Sequence, residues 1–140
     1  MTEKIDIVKS WVEKGDHDLG TAQVTFLYIP RFRDTIAFHC QQSVEKYLKA
    51  YLLFNDTAFK RTHSLSYLLS LISQFDSVSD DFFDKAAELE DFSVEIRYPD
   101  SSIELSDEDI NQALAIAREF RTHLLGKMGL DILYADIVKE

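Results

Sequence analysis

The stretch Phe38-His39-Cys40-Gln41-Gln42-Ser43-Val44-Glu45-Lys46-Tyr47-Leu48-Lys49-Ala50 decides how this 140-residue chain is read. At about 100° per residue, Ile36, Cys40, Val44, Tyr47, Leu48 and Tyr51 fall on one side of a helix. Thr35, His39, Gln42, Lys46 and Lys49 fall in a narrow polar stripe on the other side. The first set is what an amphipathic helix needs for its core. The second set has two readings. It is either a solvated face, or a row of donors in which Lys46 and Lys49 meet a phosphate or nucleotide while His39 or Gln42 adds hydrogen bonds.

The same period continues on both sides of this helix. A first helix from near Thr2 into the twenties carries Ile5, Val8, Val12, Leu19, Ala22 and Phe26, and Pro30 closes it. Gly15 and Gly20 are weak points in it, at about 1 kcal/mol each relative to Ala. The second helix runs from about Asp34 to Phe54, and Asn55-Asp56 breaks the pattern before a loop from Ala58 to Thr62. Thr62 or Ser64 can cap a third helix carrying Leu65, Leu68, Leu69 and Ile72. A fourth begins at Ser79-Asp80-Asp81, where acidic side chains suit the helix dipole. It buries Phe82, Ala86, Leu89 and Phe92 and stops near Arg97, because Pro99 disfavours a helical Tyr98. Ser106 caps the fifth, with Asp109 completing a looser capping box. Ile110, Ala113, Leu114, Ala117, Leu124 and Met128 form its apolar stripe, and Gly126 or Gly129 ends it. The chain thus reads as all-α, an antiparallel bundle of about five helices over residues 1–129, followed by a tail or short docked helix over 130–140.

Composition agrees. An apolar content of 46% suits one domain with its own core, and 4 Gly with 2 Pro leave little turn chemistry for an all-β fold. No run approaches the roughly 20 apolar residues of a spanning helix, and the charged N-terminus lacks a signal-peptide core. The single Cys excludes an internal disulfide. Cytoplasmic residence without membrane contact is the expectation. A formal net charge of −10 disfavours broad contact with nucleic-acid backbones, so DNA is not expected as a partner. Lys46, Lys49, Lys60 and Arg61 nevertheless gather mid-chain, between acidic runs elsewhere.

Several short patterns carry a family likeness. They are Asp18-Leu19-Gly20-Thr21-Ala22, the Gln41-Gln42, Glu45-Lys46 and Leu48-Lys49-Ala50 series, Arg61-Thr62-His63-Ser64-Leu65, Leu68-Leu69, and Arg97-Tyr98-Pro99-Asp100. In this order and spacing the chain resembles the HEPN family (higher eukaryotes and prokaryotes nucleotide-binding) over most of its length. The resemblance implies a bundle of the type found in nucleotidyltransferase substrate-binding subunits, a homodimer, and a role among RNases, toxins and non-catalytic binding modules.

The RNases of that family carry an Arg followed, after four to six residues, by a His. Arg97 stands where the Arg is expected, but Ser102, Ile103 and Glu104 occupy the places of the His. The resemblance therefore implies a non-catalytic module that binds a nucleotide or RNA, or that pairs with a small nucleotidyltransferase. The alternative is a metal-independent RNase, the toxin of a toxin–antitoxin pair, in which His63 or His39 replaces the missing histidine as general acid or base. Arg33 with His39 and Arg118 with His123 meet the spacing elsewhere, although the second pair would point about 140° apart on a straight helix. The candidate nucleotide- or phosphate-contacting residues are His39, Gln42, Lys46, Lys49, Arg61, His63, Arg97 and Tyr98. Arg61 and His63 are candidates because a helix N-terminus offers N–H groups to an anion. Arg97 reads equally as a structural ion-pair partner of Glu45 or Asp91, with Tyr98 fixing the helix end. His17, His39, His63 and His123 show no metal-ligand spacing, there is no Gly-rich phosphate loop or nucleophile elbow, and Cys40 reads as core. No metal or cofactor is expected.

Overall fold

The computed structural model describes residues 2–96 and 104–134. They form α1 (Thr2–Tyr28), α2 (Arg33–Phe54), α3 (Leu65–Ile72), α4 (Asp80–Ile96) and α5 (Asp107–Met128), with no strand among the described residues. The element borders follow local chemistry. The Ser64 hydroxyl accepts the Tyr67 N–H and caps α3. Ser106 and Asp109 form a reciprocal capping box at the start of α5. Gly129, at φ 67°, closes α5 in the left-handed conformation that costs glycine least.

Gly15 lies inside α1 for a packing reason. A Cβ built there would stand 2.6 Å from Cε1 of Tyr47, so the missing side chain is what lets the Tyr47 ring lie against α1.

α2 touches each of the other four helices. Ile36, Cys40, Val44, Tyr47, Leu48 and Ala50 are fully buried. Around them pack Val8, Val12 and Leu19 of α1, Leu65 and Leu68 of α3, Leu89 of α4, and Ile110 and Phe120 of α5. The polar links show the directions. Asp18 meets His39 and Lys46 while Lys4 meets Asp56, so α1 and α2 run antiparallel. Lys85 meets Glu119 and the Phe82 ring packs on Phe120 at 4.9 Å, so α4 and α5 also run antiparallel. Arg33 reaches Asp107 at the start of α5, and Tyr51 and Lys127 share Asp76 near its end. α2 and α5, distant in sequence, therefore run the same way.

After α5, residues 130–134 carry no helix. Leu130, Ile132 and Tyr134 pack on the core, and Arg121 donates to the Ile132 carbonyl at 2.9 Å with its guanidinium over the Tyr134 ring. The Tyr134 hydroxyl bonds Gln23 of α1. Burial, reinforced by the charge of Asp16, pushes the Tyr134 hydroxyl up to about 12. Among the described residues no helix is long and apolar enough to cross a membrane.

Candidate phosphate-contacting site

The polar stripe of α2 faces neighbouring elements rather than water, because α2 is surrounded. Asp18 of α1 accepts from His39 Nδ1 at 2.9 Å and from the Lys46 ammonium. Burial opposes the Asp18 charge, but the hydrogen bonds from His39 and Lys46 outweigh it and hold the carboxyl below its ordinary value. Lys49 is buried one turn on. It bonds Glu45 Oε2 at 2.9 Å and the Thr62 carbonyl at 3.0 Å, between the rings of Trp11 and Phe59. Both lysines are thus neutralised by internal carboxylates. Gln42 donates to Gln41, and Gln41 donates to the His63 carbonyl at 2.9 Å, fastening the segment before α3 onto α2.

That segment carries the accessible cations. Lys60 and Arg61 are exposed, and no carboxylate among the described residues pairs with either. His63 follows with its side chain 79% exposed, yet its Nδ1 lies 3.0 Å from Oε1 of Glu45, a side chain only 4% exposed. A carboxylate between a lysine and a histidine acts as acceptor, so Nδ1 carries the proton and Nε2 holds the free lone pair in the neutral ring.

The N-terminus of α3 does not offer free N–H groups. Glu90 of α4 accepts from the Leu65 N–H at 2.6 Å and the Ser66 N–H at 3.1 Å. A carboxylate of the protein fills the place an external anion would take. An anion at this end of the bundle could therefore be met only by side chains.

The other Arg–His pairs do not converge. Arg33 binds the Leu105 carbonyl at 2.7 Å and Asp107 at 2.5 Å, whereas His39 turns to Asp18. The His123 ring lies 4.7 Å from Phe82 of α4, while Arg118 acts on Cys40 and Tyr134 on another side of α5. Arg97 and Tyr98 lie outside the described residues; the two oxygens of Glu45, one suggested partner of Arg97, carry Lys49 and His63. Burial pushes the Cys40 thiol up to about 12, which suits a core residue. No group of three or more His, Cys, Asp or Glu among the described residues is placed to hold a metal.

Sequence reasoning passed over Asp18, Gln41 and Glu90 as partners, and offered Glu45 to Arg97 rather than to Lys49 and His63. Glu45 carries a signal, since it stands four residues before Lys49 on one helix face. Asp18 and Glu90 carry none, because their partners lie on other helices.

The HEPN domain model matches residues 8–127. The chain belongs to the HEPN family. Among solved structures, this HEPN chain is similar to TT1696 from Thermus thermophilus, with a TM-score of 0.75 and 23% identity over 86% of this chain and 97% of that one. It is also similar to ST0689, an archaeal HEPN homologue, with a TM-score of 0.68 and 24% identity over the same shares. At these identities the likeness is one of fold. No curated protein matches the chain.

Proposed function

We propose that this HEPN protein is a non-catalytic binding module that contacts the phosphate of a nucleotide or RNA through Lys60, Arg61 and His63. The observation that carries the reading is the division among its cations. Lys46 and Lys49 are spent on Asp18 and Glu45, while Lys60, Arg61 and the His63 ring stand exposed within four residues. Gln41 and Lys49 hold the backbone of that segment at Thr62 and His63, so the cations sit on a fixed base.

The module acts as a homodimer and works beside a small nucleotidyltransferase. Pairing with a nucleotidyltransferase rests on family membership. The homodimer has support at the corner between α1 and α2, where Leu27, Tyr28, Ile29 and Phe32 are exposed together. Arg31 lies against the Phe32 ring, and Arg33 ties Asp107 beside it. An exposed apolar corner of this kind can pair with its own copy about a twofold axis.

The test pairs two assays on wild type, Arg61→Glu and His63→Ala: nucleotide binding by calorimetry, and cleavage of labelled mixed-sequence RNA in EDTA. Binding weakened in both variants, with no cleavage by any protein, supports the module. Cleavage by wild type that His63→Ala loses would make the protein an RNase with a relocated histidine and overturn the reading.

A further inference from the structure

His63 differs from every other histidine of the chain in combining a fixed tautomer with an open ring. His17 lies 3.8 Å from Glu13, and both side chains are mostly exposed. His39 is bonded to a carboxylate but is half-buried, and Lys46 shares that carboxylate. His123 rests on Phe82. His63 alone is anchored at Nδ1 to a buried carboxylate while the rest of its ring faces solvent. Glu45 cannot follow the ring outward, because Lys49 grips its other oxygen and Lys49 is itself boxed between Trp11 and Phe59.

We propose that His63 is a phosphoryl-accepting residue, whose Nε2 takes a phosphoryl group from a phosphoanhydride donor such as a nucleoside triphosphate, with Glu45 as its positioning residue. The inference rests on the reading of the Lys60–His63 segment as phosphate-contacting, and His63 is modified stoichiometrically, without turnover. The Nδ1–H bond to Glu45 leaves the Nε2 lone pair directed away from the protein. The lone pair attacks phosphorus and a Nε2–P bond forms. The P–O bond to the leaving nucleoside diphosphate breaks, and that oxygen departs with the electron pair. The Nδ1 proton stays in place, so positive charge develops on the ring opposite the Glu45 carboxylate, which is already oriented to stabilise it. Lys60 and Arg61 supply cations for the phosphoryl oxygens.

Potassium phosphoramidate, a small phosphoryl donor that needs no nucleotide pocket, separates this inference from the binding reading. Site occupancy is followed by peptide mapping at alkaline pH, and the ring tautomer by 15N chemical shifts. His63 is expected to react about tenfold or more faster than His17 or His123. The paired variant Glu45→Gln/Lys49→Met removes both buried charges. It is expected to slow His63 about tenfold and to lose the Nδ1–H tautomer preference while remaining folded by circular dichroism. Lys60→Glu/Arg61→Glu is expected to slow His63 while leaving the Nδ1–H tautomer in place. His63 reacting no faster than His17, or reacting at the wild-type rate in the folded Glu45→Gln/Lys49→Met protein, overturns the proposal. Loss of nucleotide binding with His63 still reactive overturns the binding reading alone, and intact binding with an inert His63 overturns this inference alone.

Discussion

Arg121 grips both carboxylate oxygens of Asp16, Nε to Oδ1 at 2.7 Å and Nη2 to Oδ2 at 3.0 Å, across 105 positions of sequence. The Tyr47 hydroxyl donates to the same carboxylate at 2.6 Å, so α1, α2 and α5 meet on one buried charge. Removing one partner strands the other in the core, which costs about 3–5 kcal/mol for a buried pair. Arg121→Met should lower the unfolding free energy by that amount in urea, and Asp16→Leu/Arg121→Met should recover much of it. A loss under about 1 kcal/mol for the single variant would mean that the pair does not hold the bundle.

Two helical glycines should respond with opposite signs. Gly15→Ala drives a methyl group into the Tyr47 ring, and overpacking of this kind costs about 1–3 kcal/mol, enough to exceed the helix-propensity gain. Gly126 has nothing within 4 Å of an added Cβ, so Gly126→Ala should stabilise by roughly 0.5–1 kcal/mol. Thermal melts of the two variants give both signs directly.

Asp18 sets an acid limit. Its folded carboxyl lies below its ordinary value because its hydrogen bonds from His39 and Lys46 outweigh the effect of burial. The unfolded chain therefore takes up this proton first as pH falls. The stabilisation is complete above the unfolded value of about 4 and is lost as pH drops through the folded one. Urea midpoints should show wild type well above Asp18→Asn near neutral pH, with the gap closing below about pH 4. A constant gap would place the stabilisation elsewhere.

Lys46→Glu and Arg61→Glu look alike on paper and should behave differently. Lys46→Glu sets a second carboxylate against Asp18 and should destabilise the fold. Arg61→Glu touches no described partner, so its melting temperature should stay near wild type while nucleotide affinity falls about tenfold or more, as expected for losing one charge-assisted hydrogen bond of about 1.5 kcal/mol. Unchanged affinity in Arg61→Glu would remove it from the contact surface.

Tyr28 is 72% exposed at the apolar corner. Tyr28→Glu should shift sedimentation from dimer to monomer without loss of helicity, since it desolvates a charge only in the assembled state. A variant that sediments as wild type does would put the dimer contact on another face.

Much of the fold was legible from period and punctuation. The apolar stripe of α2 and Ser106 as a cap are local chemistry that the structure shows, and of the paired alternatives it takes Ser64 over Thr62 to cap α3 and Gly129 over Gly126 to end α5. The role of Gly15 was not legible, because the Tyr47 ring that explains it comes from another helix. The polar stripe posed the same problem on a larger scale. A wheel shows which residues share a face but not what lies opposite: Asp18 lies opposite His39 and Lys46, and the Thr62 carbonyl opposite Lys49. A helix with neighbours on all sides keeps little solvent face, so His39, Lys46 and Lys49 become internal fasteners. His63 was legible as a candidate from its motif, but its tie to Glu45 emerged only from the packing.

Glu90 has a consequence for selectivity. By docking on the Leu65 and Ser66 N–H groups, it makes the protein its own competitor at the start of α3. A small free anion that depends on main-chain donors must displace a tethered carboxylate, whereas a longer ligand held by Lys60 and Arg61, as proposed, would not need to enter that position. If Lys60 and Arg61 bind phosphate as proposed, this built-in occupant would act as a filter, disfavouring inorganic phosphate relative to a phosphate that arrives attached to something larger.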